Sequence, residues 1–387
     1  ASLVRPLSVV DVGDPRSLLE PLTQALFGGG PAVLPRPGGA RISHTAPLEV
    51  DDQIALVIET SGTTGAPKRV GLSAEAVLAG AEMTSRELGE GGTWLLALPA
   101  HYIAGVQVCV RAHLAGGEPL YLHPEPFTSI AVASRADDVA KARAAGPVFT
   151  SLVPAQLQRL LDDSRDMPTL LQVLQSFDAV LVGGQAVPTT LLEQAHQAGV
   201  KVRRTYGSSE TAGGCVWDGR PLSGVTLRER EGRIAIAGAM LAEGYIDNPA
   251  KTAEHFIQES GTRWYLTDDS GSLDSTGTLA IDGRLDDTII SGGIKVSLAQ
   301  IERVIHDTTM AKDAVVVASP DDTWGQVPVL VSTTAVDRDS VRAELAKQLG
   351  VHARIDRVMV VDTMPMLASG KPDRRALTAL VAGVRHG

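Results

Sequence analysis

The chain has 387 residues, 44% of them hydrophobic, which is enough apolar material for a sizeable core and too much chain for one small domain. Its 45 acidic against 35 basic residues leave a formal charge of -10, which argues against a basic nucleic-acid surface or a polybasic membrane anchor. A negatively charged ligand therefore has to be met by local donors. The two cysteines, Cys109 and Cys215, have no metal-ligand or redox-motif spacing and suit a reducing compartment as small buried apolar groups. No signal peptide is recognisable, and no apolar run approaches the roughly 20 residues of a membrane helix, so a cytoplasmic location without membrane insertion is expected.

Taken in chain order, residues 54–60 (IALVIET), 93–99 (TWLLALP) and 177–184 (FDAVLVGG) are apolar on both faces, the pattern of strands covered by helices on each side. Between them lie helical patterns at 73–88, opened by Ser73 as an N-cap, and at 154–163, opened by Pro154. This alternation is α/β. From about residue 220 the texture changes to short glycine-punctuated segments that read as antiparallel strands. A small α+β unit of about 100 residues follows, a common domain size. Its elements are a helix at 298–307, strands at 313–320 and 327–335, and a helix at 339–350 stopped by Gly350.

The segment TSGTTGAPKRV, residues 60–70, combines hydroxyls, glycines and a lysine. Unhindered backbone N–H groups and hydroxyls can converge on anionic oxygens while the lysine supplies charge, so the segment suits a phosphate cradle. A Walker A loop needs Ser or Thr directly after its lysine and a helix starting there. Lys68 is followed instead by RVGL, a strand-like stretch, so this loop joins two strands.

TSGTTGAPK resembles the phosphate-binding signature of the adenylate-forming enzymes, the superfamily of acyl-CoA synthetases, peptide adenylation domains and firefly luciferase. Further motifs follow in the family's order: YGSSET at 206–211, YLTDD at 265–269, GRLDDTIISGGIKVSLAQIE at 283–302 and PMLASGKPDR at 365–374. The resemblance implies a large N-terminal domain, residues 1–285, of αβαβα-layered sheets plus an antiparallel β subdomain. It implies a small mobile C-terminal α+β domain at 286–387. The implied reaction is attack of a carboxylate on the α-phosphorus of ATP, giving an acyl-adenylate and pyrophosphate, then thiolysis by coenzyme A, with Mg²⁺ required.

Residue by residue, the resemblance assigns the β- and γ-phosphates to Thr60, Ser61, Gly62, Thr63, Thr64, Gly65 and Lys68. It assigns Mg²⁺ to Glu210 and the α-phosphate to Ser209. Adenine falls between Tyr206–Gly207 and the segment Gly183, Gly184 and Gln185. The ribose hydroxyls fall to Asp269, supported by Arg284. Lys371 matches the family lysine that reaches the bridging oxygen and the carboxylate. Asp286 matches the hinge about which the small domain swings, after which Ser291, Gly292 and Gly293 line the thiol tunnel. Tyr102 falls at the family's gate position, with His101 one place early.

Two departures stand out. Only about 53 residues precede the first apolar strand, fewer than these enzymes have, and Asp268 stands where the family has Gly, which puts the local turn in question. The compact chain, with LLALPAHYIAGVQV, TSLVPAQL and RTYGSSETAGGCVWDG, resembles the o-succinylbenzoate:CoA ligases of menaquinone biosynthesis in their short actinobacterial form. That substrate is an aromatic keto-dicarboxylate, and Ser151, Gln156 and Arg204 are candidates to hold its second carboxylate, with Val106, Val153 and Gly213 as walls. The alternatives are a ligase for another aryl or acyl acid, an adenylation enzyme serving a carrier protein, and a nucleotide-binding module without catalysis. The expected partners are small molecules, with no nucleic acid; a homodimer is compatible with the sequence.

Overall fold

The computed structural model describes residues 3–39, 46–60, 67–122, 126–367 and 370–383. They fall into two compact units, one built from residues 1–184, 194–228 and 235–266, the other from 185–193, 229–234 and 267–387.

The first unit contains two sheets. In the seven-stranded sheet, Thr93–Leu96, Val148–Leu152, Ala179–Gly183 and Val202–Ser208 all run parallel. Val148–Leu152 is buried along its whole length, which explains its lack of polar alternation. The six-stranded sheet places Ile54–Thr60 between Ala32–Arg36 and Lys68–Ser73. The N-terminal reading needs correcting here: Val4–Asp11 and Ala32–Arg36 precede Ile54 as strands of this sheet. Pro6 and Pro35 lie inside them, and proline argues against a strand because it brings no N–H to the ladder.

Helices Ala74–Leu88 and Ile103–Leu114 lie between the two sheets. The first begins where the Ser73 hydroxyl accepts the Ala76 N–H, as its sequence implies. Gln107, fully buried, ties this layer together by donating to the carbonyls of Val77 at 3.0 Å and Ala212 at 2.8 Å. Pro154–Asp163, which packs on the Ala179–Gly183 strand, and Pro168–Ser176, which packs on other helices, start with proline in the first turn, where a missing N–H leaves no bond unmade. The glycine-rich region after 220 is antiparallel: Ala235 pairs with Leu266, and Tyr265 with Phe256.

The second unit carries the hairpin of Asp269–Leu273 and Leu279–Arg284, followed by a five-stranded sheet. Alternation along Val315–Asp321 divides its two faces. Val316 packs with Ile301, Ile305, Leu330 and Leu345 under helices Leu298–Thr308 and Arg338–Leu349. Val315 and Val317 pack with Leu377 and Val381 of helix Arg374–Gly383. Gly350 ends the helix Arg338–Leu349 at φ 96°, a conformation that favours glycine. The mixed α/β architecture is thus the one the sequence led us to expect. Among the described residues no helix is long and apolar enough to cross a membrane. Both cysteines are free and buried.

The start of helix Ile103–Leu114 is packed without slack. A Cβ on Gly105 would lie 2.2 Å from the Pro99 carbonyl oxygen and 2.8 Å from its carbon, both backbone atoms that cannot turn aside. Gly105→Ala should destabilise the fold by about 1–3 kcal/mol or more through overpacking, read as a lower thermal midpoint by circular dichroism.

Candidate active site

The four parallel strands of the first unit end in the same direction, so the segments after Leu96, Leu152, Gly183 and Ser208 gather along one sheet edge. Ligands of open α/β sheets bind at such carboxyl edges. His101–Tyr102, Val153–Gln156, Gly183–Gly184 and Tyr206–Gly213 lie in or at the start of those segments.

The close approach of neighbouring strands explains the glycines. A Cβ on Gly183 would lie 2.3 Å from the Thr205 hydroxyl, and one on Gly207 only 2.0 Å from the Gly213 carbonyl oxygen. The register shifts between Tyr206 and Gly207, and the backbone then turns through Ser209–Thr211 into Ala212, which is left-handed at φ 52°. Thr211 fixes the turn by accepting the Ser208 N–H at 2.9 Å. Glu210 is carried inward on this turn and is 3% exposed.

Glu210 meets the phosphate-loop hairpin. Ile54–Thr60 and Lys68–Ser73 pair antiparallel, with Thr60 opposite Lys68, so the loop joins two strands. Ser61, Gly62, Thr63, Thr64 and Gly65 lie outside the described residues. Lys68 forms an ion pair with Oε1 of Glu210, and the Tyr245 hydroxyl donates to the same oxygen at 2.8 Å. Among the described residues no side chain donates to Oε2, and the residue's own backbone N–H also supports the carboxylate. Burial works to raise the Glu210 pKa, but the charge of Lys68 and the hydrogen bonds from Lys68 and Tyr245 hold it below the ordinary carboxylate range. An ionised, buried carboxylate with one oxygen free of side-chain donors fits a hard cation such as Mg²⁺, which takes one or two carboxylates alongside phosphate oxygens. At the hairpin base, Glu59 takes Arg36 at 2.8 Å and Arg69 at 2.9 Å.

The acyl-pocket candidates behave differently from one another. Ser151 and Val106 are buried, Val153 is 7% exposed, and Gly213 sits at φ 106°. Gln156 is held by backbone: its Oε1 accepts the Val153 N–H at 3.0 Å and its Nε2 donates to the Ala97 carbonyl at 2.9 Å. That amide holds the helix start to the segment after the Thr93–Leu96 strand and keeps one further N–H. Arg204 is half exposed and 3.6 Å from Asp218. The rings of His101 and Tyr102 lie 4.0 Å apart, and burial pushes the His101 pKa down to about 4, so it is neutral near pH 7.

The second unit contains Asp269, Arg284, Asp286, Lys371 and the segment 291–293, and Gln185 belongs to it as well. Asp269 and Arg284 are opposite each other across the hairpin. Arg284 gives a forked pair of hydrogen bonds to Asp286 at 2.7 and 3.1 Å, and stands 3.9 Å from Asp269 and 3.6 Å from Asp268. Its main partner is therefore the hinge candidate, with Asp269 the longer contact. Asp268 does not take a positive φ, so the turn needs no glycine there; its carboxylate instead pairs with Arg233 at 3.1 Å.

Lys371 follows Gly370, left-handed at φ 76°, and its carbonyl accepts the Leu367 N–H at 2.8 Å. Three residues on, Arg374 grips Glu302 at 2.7 and 2.9 Å and donates to the Val316 carbonyl. Those contacts anchor the segment that presents Lys371. Burial and then the charge of Arg284 lower the Lys371 pKa, while Asp269 works to raise it. The thiol-tunnel candidates form a two-residue turn: Ser291 pairs with Ile294, and Gly292 and Gly293 sit at φ 58° and 83°. A Cβ on Gly292 would strike the Trp324 ring at 2.6 Å. Tyr245 and Trp324 were not singled out from the sequence, because nothing in EGYIDN or DTWGQ shows a partner.

Comparison with known proteins places this geometry. The chain matches the AMP-binding enzyme family over residues 25–242 and the AMP-binding enzyme C-terminal domain over 300–371. It is 38% identical to a probable 2-succinylbenzoate–CoA ligase of Mycobacterium tuberculosis, over 97% of this chain and 98% of that protein. It is 29% identical to a 2-succinylbenzoate–CoA ligase of Listeria monocytogenes, over 88% and 75%. Among solved structures, an E. coli MenE variant with bound OSB-AMS superposes with a TM-score of 0.75 at 25% identity, covering 96% of this chain and 86% of that one.

The Lys371 environment gives a test that needs no substrate. Its amine should lose its proton below the ordinary lysine range near 10.4. Arg284→Gln, which removes a like charge, should move that titration up, and Asp269→Asn should move it down. The pH dependence of amine labelling at Lys371, followed by mass spectrometry, reads all three.

Proposed function

The chain belongs to the AMP-binding enzyme family, and on that basis we propose that it is an ATP-dependent ligase that activates 2-succinylbenzoate and transfers it to coenzyme A. The observation that carries the chemistry is the convergence of Lys371 with Asp269 and Arg284, residues about a hundred apart in sequence. A carboxylate is the natural bidentate acceptor for ribose hydroxyls, and an ammonium beside it can reach the oxygens around the α-phosphorus. The substrate rests on the end-to-end likeness to the M. tuberculosis protein.

In the first half-reaction a carboxylate oxygen of the substrate bonds to the α-phosphorus of ATP, and the bond from that phosphorus to the bridging oxygen breaks, releasing pyrophosphate. The protein contributes positioning and charge. Lys68 at the hairpin end meets the phosphates, and Lys371 offsets negative charge on the bridging oxygen. Glu210 would hold Mg²⁺, which supplies further charge on the phosphate oxygens. Tyr206 and Gly183–Gly184 take the adenine, and Asp269 the ribose. Ser209 serves the α-phosphate, and the loop from Ser61 to Gly65 the outer phosphates.

In the second half-reaction the coenzyme A sulfur bonds to the acyl carbon, the carbon–oxygen bond to AMP breaks, and the thiol proton passes to solvent. We assign residues 286–387 as a mobile domain hinged at Asp286, so that Ser291, Gly292 and Gly293 replace Lys371 for this step, with Tyr102 at the gate. Ser151 and Arg204 serve the second carboxylate, Arg204 by exchanging Asp218 for substrate. Gln156 shapes the pocket floor through its backbone bonds. Two buried free thiols agree with a cytoplasmic enzyme.

Lys371→Ala should lower pyrophosphate release by about a hundredfold or more, the scale of removing one preorganised charge, while leaving thiolysis of supplied acyl-adenylate near normal. Unchanged pyrophosphate release would sink the assignment. The acid itself is tested by coenzyme A thioester formation across a panel of aryl and fatty acids. A response to 2-succinylbenzoate well above the rest is expected, and silence towards it would leave the ligase and remove the substrate.

A further inference from the structure

Glu210 is held from one side by a residue that the reaction scheme does not use. Tyr245 ends the segment Ala242–Tyr245, which straps across the Glu210 turn. The Ala242 N–H donates to the Glu210 carbonyl at 2.8 Å, and the Tyr245 hydroxyl donates to Oε1 at 2.8 Å. The strap is itself fixed at several points. Tyr245 pairs with Val70 on the strand that begins at Lys68, and its N–H is accepted by the Thr252 hydroxyl at 2.9 Å. Its ring is 6% exposed and meets His255 edge-on, with centroids 5.7 Å apart. The Lys68 ammonium lies 4.8 Å from the ring centroid, so one side chain touches both members of the ion pair. A cation over an aromatic face is attracted by the ring quadrupole.

The arrangement is selective between the two carboxylate oxygens. Oε1 carries both side-chain donors, whereas no side chain among the described residues donates to Oε2. A carboxylate with one oxygen pinned cannot rotate, and its other oxygen keeps one direction.

We propose that Tyr245 is a positioning residue that pins Oε1 of Glu210 and seats Lys68, so that Oε2 stays aimed for a divalent cation bound with ATP. This deepens the ligase reading and rests on it. Groups that orient a metal-binding carboxylate typically govern metal affinity by about 10–100-fold.

The test is binding of α,β-methylene ATP, which cannot be adenylated, measured by calorimetry with Mg²⁺ and with EDTA. The wild-type protein should bind more tightly with Mg²⁺. In Tyr245→Phe, which keeps the ring and removes the hydroxyl, that metal-dependent gain should shrink about tenfold while the affinity in EDTA and the thiolysis of supplied acyl-adenylate stay within about twofold. Thr252→Val, which loosens the strap without touching the ring, should move the gain in the same direction by less, and carries the test if Tyr245→Phe fails to fold. An unchanged gain in both variants overturns the proposal. So does an equal fall in metal-free affinity and thiolysis, which marks a role confined to stability. Failure of the ligase reading shows separately, as a wild-type protein that binds the nucleotide and releases no pyrophosphate with any acid.

Discussion

A buried carboxylate governs the first unit. Glu210 is ionised and nearly inaccessible, and a charge taken out of water is tolerated only when partners replace the lost hydration. Two separate parts of the chain supply those partners, Lys68 at the end of the loop hairpin and Tyr245 on the neighbouring strand, and the segment of Tyr245 also gives the Ala242 N–H to the Glu210 backbone carbonyl. Each contact also fixes its owner. The hairpin that carries the phosphate loop, the turn after the seven-stranded sheet and the strap at 242–245 are thereby tied at one point. Removing a partner would leave the charge uncompensated, so the same interaction that prepares the site also constrains the fold around it.

The second unit differs, since the charges around Arg284 sit nearer to water. Arg284 is the shared element. It forks onto Asp286, keeps longer contacts with Asp268 and Asp269, and weakens the proton affinity of Lys371. Ion pairs of this exposure contribute little stability each, which lets them break and re-form at small cost. The firm anchor is elsewhere, in the Arg374–Glu302 fork and its bond to Val316. Lys371 is thus presented by a segment with a rigid base and a tip whose electrostatics depend on one movable guanidinium.

Much of this was legible in the sequence because it depends on short-range rules. Ser73 as a helix cap, Pro154 at a helix start and Gly350 at a helix end follow from backbone chemistry that a few residues determine. The ordered motifs carried Lys68, Glu210, Asp269, Arg284 and Lys371. What escaped notice depended on partners far away in sequence. Tyr245 is an ordinary aromatic until the fold sets its hydroxyl against Glu210, 35 residues earlier. Gln156 gives no sign in the sequence that the Ala97 carbonyl and the Val153 N–H each take one end of its amide. The two N-terminal strands escaped for the reverse reason, since their prolines argue locally against strands that the sheet accommodates.

The charge pattern links these observations to turnover. A protein with a formal charge of -10 has to receive a polyanionic nucleotide, and two of the cations proposed to attend it already have carboxylate partners: Lys68 has Glu210, and Arg284 has Asp286. Binding on this arrangement brings a second anion to a cation that is already paired, with little new charge to bury. Sharing limits the ground-state gain, because each cation already has a favourable contact before the nucleotide arrives. It also leaves the cations preorganised, with their partners near enough to take them back when pyrophosphate and AMP depart. An enzyme that must release one polyanion before its second half-reaction gains more from such reversible pairing than from an uncompensated basic pocket, which would hold the product as firmly as the substrate.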